Sequence, residues 1–236
     1  MASLLERVGP PLTEPWYAAR RRTVTASNSA HLMLGPDVLR WWLDPDALAA
    51  RILGDEPVPR NERMEAGSFF ESANLGWFGY VVGRAPEPDG YLTLDSSRPH
   101  VGASLDGRLG PKTDAPTLPF DPSLVVRDAW GRCYYGRDGV RALADLPDTT
   151  LVEMKHGPSK SRSQYKKDDP PDYYANQVRH QMMVVGEEVG LLVARIDAYE
   201  LWVHVIERDP GYETLLDEAC QEFYETKLRP ALDRLG

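Results

Sequence analysis

"TTLVEMKHG", residues 149–157, decides how this chain is read. Leu151, Val152 and Met154 suit a buried strand, yet Glu153 and Lys155 are charged and stand two residues apart. Residues i and i+2 of a strand share a face, so an acid and a base project side by side from an element that otherwise reads as core. Alone, the pattern fits a salt-bridged edge strand. A second element changes its weight: Asp106, in "ASLDG" (103–107), stands at the end of a predicted strand, before an Asp-Gly turn signal. Two carboxylates meeting from neighbouring strands suit a hard divalent cation such as Mg²⁺. A lysine beside them can orient water and stabilise charge on a phosphate. Without a metal the carboxylates would repel, and one would tend to protonate.

Working outward, "GYLTLD" and "HVGASLDG" read as strands, and "LLVARIDAY" and "LWVHVIERD" as two more with a tight connection. "DYYANQVRHQMMVVGEE" predicts a helix capped by Asp172, with Tyr174, Val178, Met182 and Val185 inward. "NERMEAGSFFESANLGWFGYVVG" predicts a long helix, weakened at Gly67 and Gly76, with Met64, Phe69 or Phe70, Ala73 and Phe78 on one face. Residues 1–15 read as a loosely ordered arm. Between Trp16 and Leu34 two helices are expected, the second capped by Ser27 or Asn28. "DVLRWWLDPDALAARIL" is expected to continue helical, with Pro45 starting a new turn. The last helix, "GYETLLDEACQEFYETKLRPALDRLG", should face Leu215, Leu216, Ala219, Phe223 and Leu232 inward and kink near Pro230. Within 108–148 the sequence suggests a loop, a hairpin over "LVVRDAWGRCYYG" and a short helix over "GVRALADL". That segment is too short to hold its own core, so it reads as an insertion into a single domain spanning 1–236.

Composition narrows the classes. A chain of 236 residues, 42% hydrophobic and 27% charged, is an ordinary globular composition. No apolar run reaches the roughly 18–20 residues of a membrane span, and no signal-peptide pattern opens the chain. Two distant cysteines, Cys133 and Cys220, argue against a disulfide framework or a zinc site and fit a reducing cytoplasm. The net charge of −9 opposes simple nucleic-acid binding. Local patches can still act: Arg20, Arg21 and Arg22 form one basic group, and Lys155, Lys160, Arg162, Lys166 and Lys167 another. By themselves these are solvated faces.

Two helices add matching chemistry. Glu71, in "GSFFES", could bring a third acid to the strands; alone it reads as a solvated helix acid. Gln177, with Tyr174 and Gln181 about one turn away on either side, could bond both a water and a phosphate oxygen; alone it is a surface amide. In order and content, "WYAARRRTVTASN" (16–28), "GSFFES" (67–72), "ASLDG" (103–107), "LVEMK" (151–155) and "YYANQVRHQM" (173–182) resemble the YqaJ-type viral recombinase nucleases. The bacteriophage lambda exonuclease is the best-known relative within their PD-(D/E)xK superfamily.

The resemblance implies an α/β (α+β) fold, a central mixed sheet flanked by helices. It implies Asp106 and Glu153 as metal ligands, with the Met154 backbone carbonyl a further ligand and Glu71 a further candidate. Lys155 would position the attacking water, and Glu71 and Gln177 would support a second metal, the water or the scissile phosphate. Arg20 would grip a 5′-terminal phosphate beside Ser27 and Tyr174, and Lys160 and Arg162 would contact DNA. The implied cofactor is Mg²⁺, with Mn²⁺ a substitute and two ions per site. The implied activity is 5′→3′ digestion of linear double-stranded DNA to leave 3′ single strands for recombination. The implied partners are DNA ends, a single-strand annealing protein and a homo-trimeric ring. Three departures stand out: Leu105 replaces a proline, His156 follows the lysine, and 47 positions separate Asp106 from Glu153. That last feature keeps open an endonuclease of a restriction or defence system. A catalytically silent DNA-binding subunit is a third reading, opposed by the intact Asp106, Glu153 and Lys155.

Overall fold

The computed structural model describes residues 5–54, 62–114, 118–158, 161–165 and 170–235, except for the side chains of residues 63, 64 and 68. In chain order its elements are β1 (Leu5–Val8), α1 (Glu14–Arg20), β2 (Val24–Thr25), α2 (Ala26–Met33), α3 (Pro45–Leu53), α4 (Glu62–Val82), β3 (Glu87–Pro88), β4 (Leu92–Asp95), β5 (Val101–Ser104), β6 (Gly107–Arg108), β7 (Leu124–Arg127), β8 (Cys133–Tyr135), α5 (Gly136–Ala144), β9 (Leu151–Gly157), α6 (Arg162–Tyr165), α7 (Asp172–Val185), β10 (Val189–Ile196), β11 (Glu200–Glu207), α8 (Pro210–Phe223) and α9 (Arg229–Asp233). They build a mixed α/β fold with two mixed sheets. A seven-stranded sheet runs β3-β6-β9-β10-β11-β7-β8, and a four-stranded sheet runs β1-β4-β5-β2.

The quoted strand is β9. It lies parallel to β10 and antiparallel to β6, with Gly107 opposite Val152. Its alternation divides two cores. Val152 and Met154 pack with Phe78 and Val81 of α4, Leu143 of α5, and Leu191 and Val193 of β10. Leu151 packs on the other face with Leu192 and Ala194 of β10 and with Ala175, Val178 and Met182 of α7. Each large aliphatic side chain so buried contributes about 1.5–3 kcal/mol. Gly190 lets α7 sit this close, since a Cβ there would lie 2.5 Å from Val178 Cγ1 and 2.9 Å from Leu151 Cδ1.

Several expectations fail for local physical reasons. The first residues are no loose arm over 5–8, because β1 pairs antiparallel with β4 from Leu5 opposite Asp95 to Val8 opposite Leu92. The stretch after Gly35 is not helical until Pro45. Asp44 caps α3 there, accepting from Asp46 and Ala47 N–H at 3.0 and 2.9 Å. In α2 the cap position is Thr25, and Ser27 already lies inside the first turn. In α7 it is Pro171, so Asp172 is the first helical residue. In α4 only Phe78 of the named face is buried; Phe69 is 79% and Phe70 43% exposed, and Met64 lies outside the described side chains. Leu215 is exposed, while Leu216 and Phe223 face the core. Before Pro230 a π-helical turn, Tyr224–Leu228, takes up the misfit of a ring that can donate no N–H.

The segment 108–148 supplies the expected hairpin and helix. β7 pairs antiparallel with β8, α5 follows, and β7 joins the main sheet parallel to β11. Leu124, Val126 and Leu143 from this segment are part of the same core as Val152.

Candidate active site

A cleft of about 1100 Å³ opens where β9 outruns β6, and Asp106, Lys155, Glu71, Gln177 and Tyr174 all line it. The geometry starts from pairing. β6 is two residues long, so beyond Val152 the outer edge of β9 has no strand partner in the register. The Asp106 carboxylate takes that place: its Oδ2 accepts the Met154 N–H at 2.7 Å. Since the N–H and C=O of one strand residue point to the same edge, the Met154 carbonyl is turned toward the Asp106 side as well. The Asp106 carbonyl accepts from the Asp89 N–H at 3.3 Å, which pins the bend between the two sheets. Gly107 follows because a Cβ there would come within 2.9 Å of the Glu87 carbonyl oxygen.

Glu153 sits on the α7 side of β9 and is 3% exposed. Its Oε1 accepts from the Lys155 ammonium, and its Oε2 accepts from Gln181 Nε2 at 2.6 Å. The same Gln181 amide donates to the Ser104 carbonyl at 3.0 Å, tying Glu153 to the strand that leads into Asp106. Gln181 is the residue that sequence reading undervalued. Its only signal was its place one turn beyond Gln177, on nearly the same face of α7. Gln177 Oε1 is buried and accepts no hydrogen bond among the described residues.

Electrostatics follow from this crowding. Burial, reinforced by the charge on Glu153, pushes the Asp106 carboxyl well above the usual aspartate range. Glu71 is raised for the same two reasons. Lys155 loses solvation on burial, but the charges of Glu153 and Asp106 outweigh that loss and hold it firmly protonated. Its ammonium also lies 5.2 Å from the Tyr174 ring centroid. Among the described residues no three His, Cys, Asp or Glu side chains gather into a ready metal cluster.

The other expected contacts fall into place unevenly. The Ser27 carbonyl accepts from the Tyr173 hydroxyl at 3.2 Å, and Tyr173 lines the cleft. Arg20 stacks on Trp16, 4.5 Å from its ring, and is not part of the cleft lining; burial lowers its pKa. Arg162 lines a separate groove with Trp202 and Tyr135, and its Nε donates to Glu200 at 2.8 and 3.1 Å. Lys160 lies outside the described residues, as do Lys166 and Lys167.

The profile of the YqaJ-like viral recombinase domain matches residues 15–188, a span that holds Glu71, Asp106, Glu153, Lys155, Gln177 and Gln181. The chain belongs to the YqaJ-like viral recombinase family. No curated protein matches this family member in sequence. Among solved structures it is similar to LHK-Exo, an alkaline exonuclease from Laribacter hongkongensis. It is 20% identical to the form in complex with dAMP, with a TM-score of 0.65, 94% of this chain and 96% of that one being covered. A second LHK-Exo structure gives the same identity and coverage with a TM-score of 0.62. A phage-related exonuclease from Haemophilus somnus 129PT is 11% identical, with a TM-score of 0.50 over 91% of this chain and 96% of its own. At such identities the likeness speaks for the fold, which is the nuclease fold the sequence led us to expect. No described helix is long and apolar enough to cross a membrane.

Proposed function

We propose that this member of the YqaJ-like family is a divalent-metal-dependent deoxyribonuclease that degrades linear duplex DNA from its ends. The observation that carries the reading is the joining of Asp106 to the Glu153-x-Lys155 strand through the Met154 N–H, inside an open cleft. Family membership supports it.

The donors present fit a hard cation. They are carboxylates, a backbone carbonyl turned toward Asp106, and a buried amide oxygen of Gln177 that has no hydrogen-bond donor among the described residues. Asp106 and Glu153 would hold Mg²⁺ together with the Met154 carbonyl, and Glu71 and Gln177, which line the same cleft, would serve a second ion or the scissile phosphate. Bound there, the metal supplies Lewis acidity to the phosphate and acidifies a ligand water. Lys155, held protonated, orients the nucleophile and faces the negative charge that grows on the phosphate. Gln181 fixes the orientation of the Glu153 carboxylate by bridging it to the Ser104 carbonyl. Tyr174 walls the site.

The finer reading is 5′→3′ digestion that leaves 3′ single strands for annealing, with Arg20 and Ser27 gripping a 5′-phosphate and Mn²⁺ able to replace Mg²⁺. A homo-oligomeric ring and a single-strand annealing partner accompany it, on the strength of the family resemblance. The test compares linear with covalently closed circular duplex DNA, each end of the linear form separately labelled, in Mg²⁺. Release of label from 5′ ends with intact circles is the expected result. Nicked or linearised circles would instead establish the endonuclease reading.

A further inference from the structure

The cleft has a second half that the chemistry above does not use. Beyond Lys155, strand alternation turns His156 to the α4 side of the sheet, and the register places Arg195 of β10 directly beside it. Both line the cleft, as do Phe70 and Asn74 of α4. Phe70 is 43% exposed and stands edge-on to His156, ring centroids 6.4 Å apart.

Arg195 is held by two acceptors. Its Nη1 donates to the side-chain oxygen of the buried Asn74, and its Nε donates to the Ala198 carbonyl at 2.9 Å. Both partners are neutral. Arg84, Arg98, Arg108, Arg162 and Arg208 are each bonded to a carboxylate instead. A guanidinium fixed by neutral acceptors has its orientation set without spending its charge on a bonded carboxylate, which suits an incoming phosphate. An exposed ring beside it suits the face of a nucleobase.

We propose that this outer half of the cleft is a binding subsite for the nucleotide adjacent to the scissile phosphate, with Arg195 taking its backbone phosphate and Phe70 stacking on its base. The site rests on the nuclease reading, and it deepens that reading. Arg195 and Phe70 act here as binding residues; neither touches the reacting atoms.

The experiment measures binding of 5′-phosphorylated duplex oligonucleotides by fluorescence anisotropy in Ca²⁺, across a salt series. Arg195→Gln should weaken binding about tenfold and reduce the log–log salt slope by about 0.7–0.9, the signature of one lost phosphate contact. Arg195→Lys should recover part of the affinity. On DNA carrying a neutral methylphosphonate at one of the two linkages flanking the scissile one, the penalty of Arg195→Gln should vanish. Phe70→Ala should weaken binding several-fold, and its penalty should vanish when the adjacent nucleotide is abasic. Penalties that persist on every modified DNA, or no penalty on native DNA, overturn the proposal. Mg²⁺-dependent degradation by the unaltered protein is scored separately, so failure of the nuclease reading shows as intact DNA whatever the variants do.

Discussion

β9 and β10 lie side by side in register, yet they are built differently. On the α4 face they match: Val152 and Met154 on one, Leu191 and Val193 on the other, all in one core. On the α7 face β10 carries Leu192 and Ala194, where β9 carries Glu153 and Lys155. β10 shows that this layer accepts apolar side chains without difficulty. The charges of β9 are therefore not demanded by the fold. They burden it, since buried ions lose more solvation than an ion pair returns unless geometry and extra hydrogen bonds compensate. Gln181 and the Asp106–Met154 contact supply part of that compensation.

The largest test of this contrast is Lys155→Met, which keeps the stem and removes the charge. Single-turnover cleavage should fall at least about 100-fold while DNA binding in Ca²⁺ persists. Near-normal cleavage would return Lys155 to a structural role. A second test separates buried charge from buried neutral polarity on the same helix. His180 is fully buried, donates from Nε2 to the Gly102 carbonyl, and burial depresses its pKa to about 4. Its contribution is present above pH 6.5 and is lost as pH falls from there through 4. That loss is on the order of 3 kcal/mol, read as the difference in urea melts between the unaltered protein and His180→Gln. Asp106 and Glu71, raised by burial, have the opposite sign and lose stability as pH rises, so only the difference isolates His180.

Next comes Gln181→Leu, which extends β10-like packing toward Glu153. Affinity for Mn²⁺ or Mg²⁺ by calorimetry should fall 10- to 100-fold, the usual cost of losing a group that orients a ligand. The smallest effect is the most pointed. Copying β10 outright, Glu153→Leu with Lys155→Ala, should leave the metal-free protein as stable or about 1 kcal/mol more stable in denaturant melts at pH 8. Glu153→Leu alone should cost about 3 kcal/mol, because Lys155 would be left buried without its closest partner.

Much of this arrangement was legible in the sequence, for reasons that differ by element. β10 stands out as a long apolar run, and β11 and α7 by their period. The Glu153-x-Lys155 pair was visible because charge is rare in a strand otherwise made of core residues, and Asp106 because it precedes a turn glycine at the end of a predicted strand. What escaped notice depended on distant contacts. The pairing of Leu5–Val8 with β4 bridges almost ninety positions and leaves little local trace. Phe69 and Phe70 looked like core because helical spacing cannot tell a face toward a sheet from a face left exposed; Phe70 lines the open cleft and Phe69 is 79% exposed. Gln181 carries no local sign of its contacts with Glu153 and Ser104, and Arg195 none of its contact with Asn74, because those partners come from distant elements.

The route of segment 108–148 separates two ends of the main sheet. It leaves after β6 and rejoins the sheet at β7, on the far side of β10 and β11 from β9. Its hairpin turn, held by Asp128 accepting from the Trp130 and Arg132 N–H groups at 3.0 and 2.8 Å, points away with Trp130 largely exposed. Lengthening or recoding this hairpin leaves the Gly107–Val152 pairing untouched. The sheet is thus extended at the edge remote from Asp106, while the edge beside Asp106 keeps its own short pairing.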